Sequence, residues 1–255
     1  MEFKKVLILG GSGLIGTETI KKFVKNGYKV INFDLNKSNY SHKNLSYLNI
    51  DLCNFKETEK KLKLFFSQKK NKNIAAYVNT SYPYVGNWLN HNFDSLKLED
   101  FLENSSLNFF SNIWITKLIA ENFKKNKSGS IVLMNSIYGI LGQNLNLYKG
   151  TKMRENLTYA ITKGALSNGV RQFASFYSRY NVRINSICSG GVQGHIAGSE
   201  KKLTSTFNTN YKKLCPLGRL AYPSEIANVI YFLISKESSY ITGTNLIVDG
   251  GWSAI

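Results

Sequence analysis

A short apolar run followed by a cluster of glycines limits the fold of this chain more than any other stretch. Residues 6–9 are continuously apolar, which is typical of a strand buried on both faces. Residues 10–16 are glycine-rich, and an amphipathic stretch runs from Thr17 to about Asn26. A strand, a glycine turn and a helix in this order suit a dinucleotide-binding turn, because glycines let the backbone approach a pyrophosphate and a helix N-terminus offers free N–H groups.

A glycine turn without a ligand is the alternative, but the position between strand and helix favours a ligand. The residues predicted to contact the dinucleotide in this turn are Gly10, Ser12, Gly13, Leu14, Ile15 and Gly16. Asp34 lies about 20 residues beyond the glycines, where a carboxylate can accept a hydrogen bond from the ribose 2′-OH. It would repel a 2′-phosphate, so NAD is favoured over NADP, although Lys37 lies nearby. Asp51 and Leu52 are expected beside the adenine.

The rest of the chain alternates strand-like apolar runs with helix-like stretches. Further strands are predicted at residues 28–33, 48–52, 74–79, 130–136, 182–187 and 246–248. Helices are predicted at residues 55–68, 97–125 and 155–180, with another opened by Pro223 and capped by Ser224. This alternation predicts one α/β domain over residues 1–255, a Rossmann fold with a doubly wound, mostly parallel sheet and helices on both faces. The strand ends, including Asn79, Ser136 and Ser189, would then share one ligand-binding edge.

A phenol and an ammonium group stand four residues apart in the predicted helix at 155–180. Tyr159 and Lys163 would share one helix face and reach the same bound molecule. A nearby Lys⁺ favours phenolate and lowers the pKa of the tyrosine, so the pair can exchange a proton with an alcohol or carbonyl. This spacing is frequent by chance, and its placement on the edge that carries Ser136 gives it weight.

Composition and charge narrow the class of protein. Lys and Arg number 33 against 16 Asp and Glu, for a net charge of +17. The lysines are scattered in short groups, so nucleic acid is not expected as the main partner, and a basic surface that attracts phosphorylated substrates is favoured. The three cysteines, Cys53, Cys188 and Cys215, are widely spaced and indicate neither a disulfide framework nor a metal site. No apolar run is long enough for a membrane span and no signal peptide is recognisable, so a cytoplasmic protein is expected.

Nearly the whole chain resembles the short-chain dehydrogenase/reductase family. The matching positions are the glycine turn, Asp34, Asp51, Asn79, Asn108, Ser136, Tyr159, Lys163, Gly190, Gly191 and the segments 241–243 and 248–251. The resemblance implies an oxidoreductase in which Tyr159 is the acid/base, Lys163 holds the nicotinamide ribose and Ser136 binds the substrate oxygen. It also implies that Asn108 holds a water beside Lys163 and that Asn79, Gly190 and Val192 contact the cofactor. Members of the family are usually homodimers or homotetramers.

The chain departs from the family pattern next to the reaction centre. Ser189 stands where the family usually has proline, and the interval from Ser136 to Tyr159 is longer than usual. The inserted segment, residues 143–154, resembles bacterial oxidoreductases of flagellin modification and surface-sugar biosynthesis. It implies a sugar or sugar phosphate as substrate. The predicted substrate contacts are Ser136, Tyr138, Tyr148 and Arg154, and residues 194–214 form a candidate lid.

The sequence leaves two other functions open. The glycine spacing resembles that of nucleotide-sugar epimerases and dehydratases with tightly held NAD, although no sizeable substrate region follows Lys163. A non-catalytic protein that binds nucleic acid through its basic surface is the other alternative. The presence of Ser136, Tyr159, Lys163 and Asn108 together argues against it.

Overall fold

Seven parallel strands form one sheet at the centre of the molecule. The computed structural model describes residues 5–71, 73–83, 86, 88–194 and 204–255. The strands are β1 (Lys5–Leu9), β2 (Lys29–Asp34), β3 (Leu45–Asn49), β4 (Ile74–Asn79), β5 (Gly129–Ser136), β6 (Val182–Ser189) and β7 (Asn245–Val248). Their order is β3-β2-β1-β4-β5-β6-β7, and every neighbouring pair is parallel. The chain therefore reverses its direction across the sheet between β1 and β4, where such folds bind ligands.

Helices cover both faces of the sheet. They are α1 (Leu14–Lys25), α2 (Phe55–Ser67), α3 (Leu98–Ser105), α4 (Ser111–Asn126), α5 (Leu157–Tyr177), α6 (Ser205–Leu214) and α7 (Pro223–Ile234). Phe23 of α1 and Ile230 of α7 are buried in a core against one face. Phe123 of α4 and Val170 of α5 are buried in the core against the other. The predicted single-domain Rossmann fold is confirmed.

Helix α1 begins earlier than the sequence suggested. It starts at Leu14 rather than Thr17, with Gly13 as the extended N-cap residue. Gly16 therefore belongs to the first helical turn, where it lies against the strand-to-helix connection. A Cβ at Gly16 would approach the Gly10 carbonyl oxygen to 2.1 Å, so the missing side chain permits this close packing.

The boundaries of three other elements were predicted wrongly. Strand β3 ends at Asn49, because the Asp51 carboxylate accepts the Cys53 N–H at 2.9 Å and forms a turn there. Helix α5 starts at Leu157, because Asn156 caps it, and it ends at Tyr177 before a 3₁₀ turn. Helix α7 is capped by Tyr222, not Ser224, because Pro223 lacks an N–H and suits the first helical position.

The insertion and the second half of the candidate lid pack against each other. Residues 145–148 form a 3₁₀ turn within the insertion, and Leu147 is buried there. The side-chain amide of Asn210 on α6 donates to the carbonyl oxygens of Leu147 at 3.0 Å and Lys149 at 2.8 Å. Residues 195–203 of the candidate lid lie outside the described residues, whereas residues 205–214 form α6. No helix in the described part of the chain has the length and apolar character to cross a membrane.

Candidate active site

One cavity of about 920 Å³ runs along the carboxyl edge of the sheet. Its wall contains most of the predicted site residues, from the glycine turn to the insertion. These are Gly10, Ser12, Gly13, Leu14, Ile15, Asp34, Asp51, Leu52, Ser136, Tyr138, Tyr148, Arg154, Tyr159, Lys163, Gly190 and Val192. The fold thus brings residues from opposite ends of the chain to a single space.

The glycine turn has the close backbone contacts that a dinucleotide site needs. Gly10 has φ +75°, and a Cβ there would lie 2.6 Å from the backbone of Ser81. Gly13 leads into α1, whose first N–H groups have no partners within the helix, and Gly13, Leu14 and Ile15 line the cavity. These residues fit the phosphates of a dinucleotide.

Asp34 is held beside the glycine turn by backbone amides. One carboxylate oxygen accepts the Ser12 N–H at 2.9 Å and the other accepts the Asn36 N–H at 3.1 Å. The Ser12 hydroxyl donates to the Asn36 carbonyl oxygen at 2.6 Å and accepts from Asn32 at 3.0 Å. This network fixes the carboxylate at the cavity wall, where it can accept from a ribose hydroxyl, and Lys37 lines the same end.

Gly16, Asn79 and Asn108 are predicted site residues that do not line the cavity. Gly16 serves the packing of α1 described above. The Asn79 side chain bonds to Asn112 and accepts the Ser81 N–H at 2.9 Å, so it shapes the chain after β4.

Asn108 lies in a single π-helical turn, Ser106–Phe110, between α3 and α4. Its amide nitrogen donates to the Pro83 carbonyl oxygen at 3.3 Å. Its side-chain oxygen is buried and has no hydrogen-bond partner among the described residues. A buried acceptor of this kind is normally satisfied by an ordered water, which fits the role implied for Asn108 by the family resemblance.

Tyr159, Lys163 and Ser136 meet at the cavity floor. The Lys163 ammonium donates to the Met134 carbonyl oxygen at 3.0 Å and lies 5.5 Å from the centre of the Tyr159 ring. The Ser136 hydroxyl oxygen accepts the Tyr138 N–H at 3.2 Å and is hydrogen-bonded to the Tyr159 phenol. A substrate oxygen can therefore contact a phenol and a hydroxyl at once.

Burial controls the protonation of this pair. It raises the pKa of Tyr159, and the hydrogen bond from Ser136 opposes the rise. It also lowers the pKa of Lys163 to about 8. The direction for Tyr159 is opposite to the lowering expected from Lys163, because loss of solvent is the largest cause of its pKa shift. The phenol is protonated at neutral pH and ready to donate.

Three aromatic rings surround the ring of Tyr159. Their centres lie 5.3 Å away for Tyr82, 5.8 Å for Trp88 and 6.4 Å for Tyr138, all in edge-to-face geometry. Tyr82 and Trp88 line the cavity but were not predicted as site residues. The sequence offered one signal, since the segment 81–83 directly follows the predicted strand at 74–79. Nothing local indicated that these rings would contact Tyr159.

The insertion contributes neutral phenols and one paired arginine. The Tyr148 hydroxyl donates to the Gln143 side-chain oxygen at 2.8 Å, and burial raises the pKa of Tyr148 to about 12. Burial also raises the pKa of Tyr138. Arg154 bonds Asp94 at 2.6 Å and lies 3.5 Å from Glu155, at the exposed rim. Its charge is therefore partly balanced before any substrate binds.

The loop after β6 is held by α6 although it lacks the usual proline. The Gly191 N–H donates to the Tyr211 hydroxyl at 2.7 Å. A Cβ at Gly190 would lie 2.5 Å from that hydroxyl oxygen, so glycine is required for the contact. Ala221 binds the same loop, donating to the Gly191 carbonyl at 2.9 Å. Val192 is thus fixed at the cavity wall. The described residues contain no cluster of metal-ligating side chains.

The fold and this site agree with the comparisons to known proteins. The family model described as enoyl-(acyl carrier protein) reductase matches residues 12–253, and the chain belongs to this family of short-chain dehydrogenases/reductases. It is an NAD(P)-dependent oxidoreductase of that family.

The chain is similar to proteins of different substrate chemistry. It is 28% identical to post-translational flagellin modification protein A of Campylobacter coli, over 99% of both sequences. It is also 28% identical to 3-oxoacyl-[acyl-carrier-protein] reductase FabG of Chlamydia pneumoniae, over 97% of this chain and 96% of that protein. A short-chain dehydrogenase from Leptospira borgpetersenii, solved with bound NAD⁺, is 26% identical with a TM-score of 0.85, covering 99% of this chain and 94% of that one.

Proposed function

We propose that this protein uses NAD to interconvert a secondary alcohol and a ketone on a sugar or sugar phosphate, in the cytoplasm, during surface-glycan or flagellin modification. The observation that carries the proposal is the single cavity that joins the glycine turn and Asp34 to Tyr159 and then to the insertion. The similarity to a flagellin modification protein over the full length supports it. The preference for NAD over NADP rests on the Asp34 carboxylate at the cavity wall.

Each group at the cavity floor has a proposed part in the reaction. When bound, the nicotinamide supplies or accepts the hydride. Tyr159 gives a proton to the carbonyl oxygen, or takes it from the alcohol, while the Ser136 hydroxyl binds that oxygen and stabilises its developing charge. Lys163 positions the nicotinamide ribose. The unpaired oxygen of Asn108 holds a water through which the proton can be replaced.

The wall opposite the glycine turn favours a sugar. Gln143, Tyr138 and Tyr148 offer neutral hydrogen-bonding groups, and Trp88 offers an apolar ring. A sugar presents hydroxyls and C–H faces that suit this mixture of hydrogen-bonding groups and an aromatic ring. Arg154 at the rim can exchange its partner Asp94 for a substrate phosphate, and the net charge of +17 favours approach of an anion.

We also propose a homodimer or homotetramer. Ile161 and Phe176 on α5 and Ile247 on β7 are large apolar residues with 40–48% of their surface exposed in the single chain. A second copy of the chain can cover the exposed apolar surface of these two elements. Light scattering coupled to size-exclusion chromatography measures the assembly, and a monomer at micromolar concentration contradicts this part of the proposal.

The substrate class is tested with the wild-type enzyme and Tyr159→Phe. NADH absorbance is followed with hexoses, hexose phosphates, nucleotide sugars and a 3-oxoacyl thioester, in both directions. We expect turnover on a sugar derivative and its loss in Tyr159→Phe, which should still bind NADH. Activity confined to the acyl thioester contradicts the sugar assignment. Conversion of a sugar without net NADH change would instead indicate the epimerase or dehydratase chemistry.

A further inference from the structure

Asn156 uses all of its polar groups to join three parts of the site. It is the N-cap residue of α5 and is only 5% exposed. Its side-chain oxygen accepts the Tyr159 backbone N–H at 2.8 Å and the Thr158 hydroxyl at 2.9 Å. The amide that Asn156 caps is thus that of the catalytic tyrosine itself, at the third position of the helix.

The same side chain contacts the turn that carries Trp88. The Asn156 amide nitrogen donates to the Trp88 carbonyl oxygen at 3.3 Å. His91, in the same turn, accepts the Leu157 N–H at 2.8 Å through its carbonyl, and its Nδ1 lies 2.7 Å from the Thr158 hydroxyl oxygen. The Thr158 hydroxyl thus links the Asn156 side chain to the imidazole of His91.

The backbone of Asn156 contacts the insertion. Its N–H donates to the Gln143 side-chain oxygen at 3.0 Å, and its carbonyl oxygen accepts the Gln143 side-chain N–H at 2.8 Å. The Tyr148 hydroxyl donates to that same Gln143 oxygen at 2.8 Å. Tyr148 in the insertion and Trp88 in its turn line the cavity. Trp88 bonds directly to the residue that caps Tyr159, and Tyr148 is linked to that residue through Gln143.

We propose that Asn156 is a positioning residue that sets Tyr159 and both substrate-facing walls, the Trp88 turn and the insertion, in one fixed arrangement. Two separate residues could hold the Trp88 turn and the insertion. Because one residue contacts both walls and caps Tyr159, substrate contact at either wall can change the position of the phenol. Small misplacements of a reacting group are costly to catalysis, so this shared contact affects substrate use more than folding. The inference rests on the proposed role of Tyr159.

The test separates capping from positioning with two substitutions. Asn156→Ser keeps a good N-cap oxygen for the Tyr159 amide but removes the donor to the Trp88 carbonyl, whereas Asn156→Ala removes both. For Asn156→Ser we expect a near-wild-type unfolding temperature, kcat within about twofold and KM for the sugar substrate raised about tenfold. For Asn156→Ala we expect a lower unfolding temperature and a loss in kcat as well.

Asn54→Ser is the matched control. Asn54 is the N-cap residue of α2, its side chain bonds to Glu57 alone among the described residues, and it does not line the cavity. We expect it to leave kcat and KM unchanged. If the unfolding temperature and the KM of Asn156→Ser both equal the wild-type values, Asn156 is only a helix cap and the proposal is overturned.

Hydrogen exchange resolved to single amides gives a reading that does not depend on catalysis. In Asn156→Ser the Leu157 amide, which donates to His91, should exchange faster, while the Tyr159 amide stays protected. Unchanged exchange at Leu157 also overturns the proposal. If Asn156→Ser does not fold, Thr158→Val serves instead, because it removes the contact with His91 and leaves the cap intact. A wild-type KM together with wild-type exchange of the Leu157 amide in Thr158→Val counts against the proposal. Absence of wild-type activity on every sugar would overturn the proposed function, while the exchange data still decide the role of Asn156.

Discussion

The two ends of the cavity are built in different ways. At the nucleotide end, the shape comes from the backbone: Gly10 at positive φ, the N-terminus of α1, and Asp34 bonded to the Ser12 and Asn36 amides. At the substrate end, the wall consists of side chains such as Trp88 and Tyr148, from segments far apart in sequence. A backbone site tolerates few changes and binds one type of ligand, whereas a side-chain site can change its ligand by substitution.

The polar groups differ in the same way. Asp34 at the nucleotide end takes its two partners from the main chain, so the backbone conformation at Ser12 and Asn36 fixes it. Tyr148 and Arg154 at the substrate end bond to Gln143 and Asp94, which are also side chains. The first end therefore depends on local conformation and the second on packing across the fold.

The largest expected effect is at the nucleotide end. Gly10→Ala should weaken NADH binding by about 100-fold or more, because its Cβ would lie 2.6 Å from the Ser81 backbone. Gly27→Ala is the control, since Gly27 has a similar φ of +78° but no atom within 4 Å of its Cβ position. It should lose about 1–2 kcal/mol of stability and keep its NADH affinity. Calorimetric titration measures the NADH affinity of both variants. Normal NADH binding by Gly10→Ala would show that the close contact between Gly10 and Ser81 is not needed.

At the substrate end, Trp88→Ala should raise KM for the sugar about tenfold and leave NADH affinity unchanged, because the ring lines only that part of the wall. Trp114→Ala is the matched control. Trp114 is 41% exposed on α4, where its indole N–H donates to Glu59, so its loss should not alter KM. An equal change in NADH affinity for Trp88→Ala would show that the two ends are not separable.

A smaller effect is expected from the charges beside the ribose. Asp34→Ser should reduce NADH affinity about tenfold and improve NADPH binding, because the repulsion of a 2′-phosphate is removed. Lys37→Ser should act in the opposite sense and weaken NADPH binding alone. Fluorescence titration with both dinucleotides measures the ratio of NADH affinity to NADPH affinity. A ratio unchanged in both variants would remove the basis for preferring NAD.

A further effect concerns the pH dependence of stability. Burial holds the pKa of Lys163 at about 8, below its ordinary value of 10.5. Between these values the unfolded chain binds more protons, so the free energy of unfolding should rise with pH in this window. Relative to Lys163→Met, the wild type should gain at most on the order of 3 kcal/mol from pH 8 to 10.5. Urea unfolding measures this, with the exposed Lys125→Met as control. A constant difference between wild type and Lys163→Met would show that the lysine is not desolvated.

Several elements followed directly from the sequence. The strand, glycine turn and helix at residues 5–25 form as predicted, because glycine spacing and apolar periodicity act over a few residues. The i, i+4 pair Tyr159 and Lys163 lies on one helix and at the cavity floor, and Ser136 joins it from a strand end. The shift of the α1 start to Leu14 shows where local patterns fail, since Gly16 was read as part of a loop and instead packs inside the helix.

What the sequence determined by itself was the parallel α/β fold, the dinucleotide turn and the Tyr159–Lys163 pair, since these depend on periodicity and on residue types at fixed short spacings. Only the tertiary structure placed Tyr82 and Trp88 around Tyr159, bound Tyr211 to the loop after β6, and made Asn156 common to both substrate-facing walls. Such contacts join segments distant in the chain, and their partners are set by how helices and loops pack on the sheet. It also reversed the expected direction of the Tyr159 pKa, because desolvation depends on burial, which no short sequence pattern specifies.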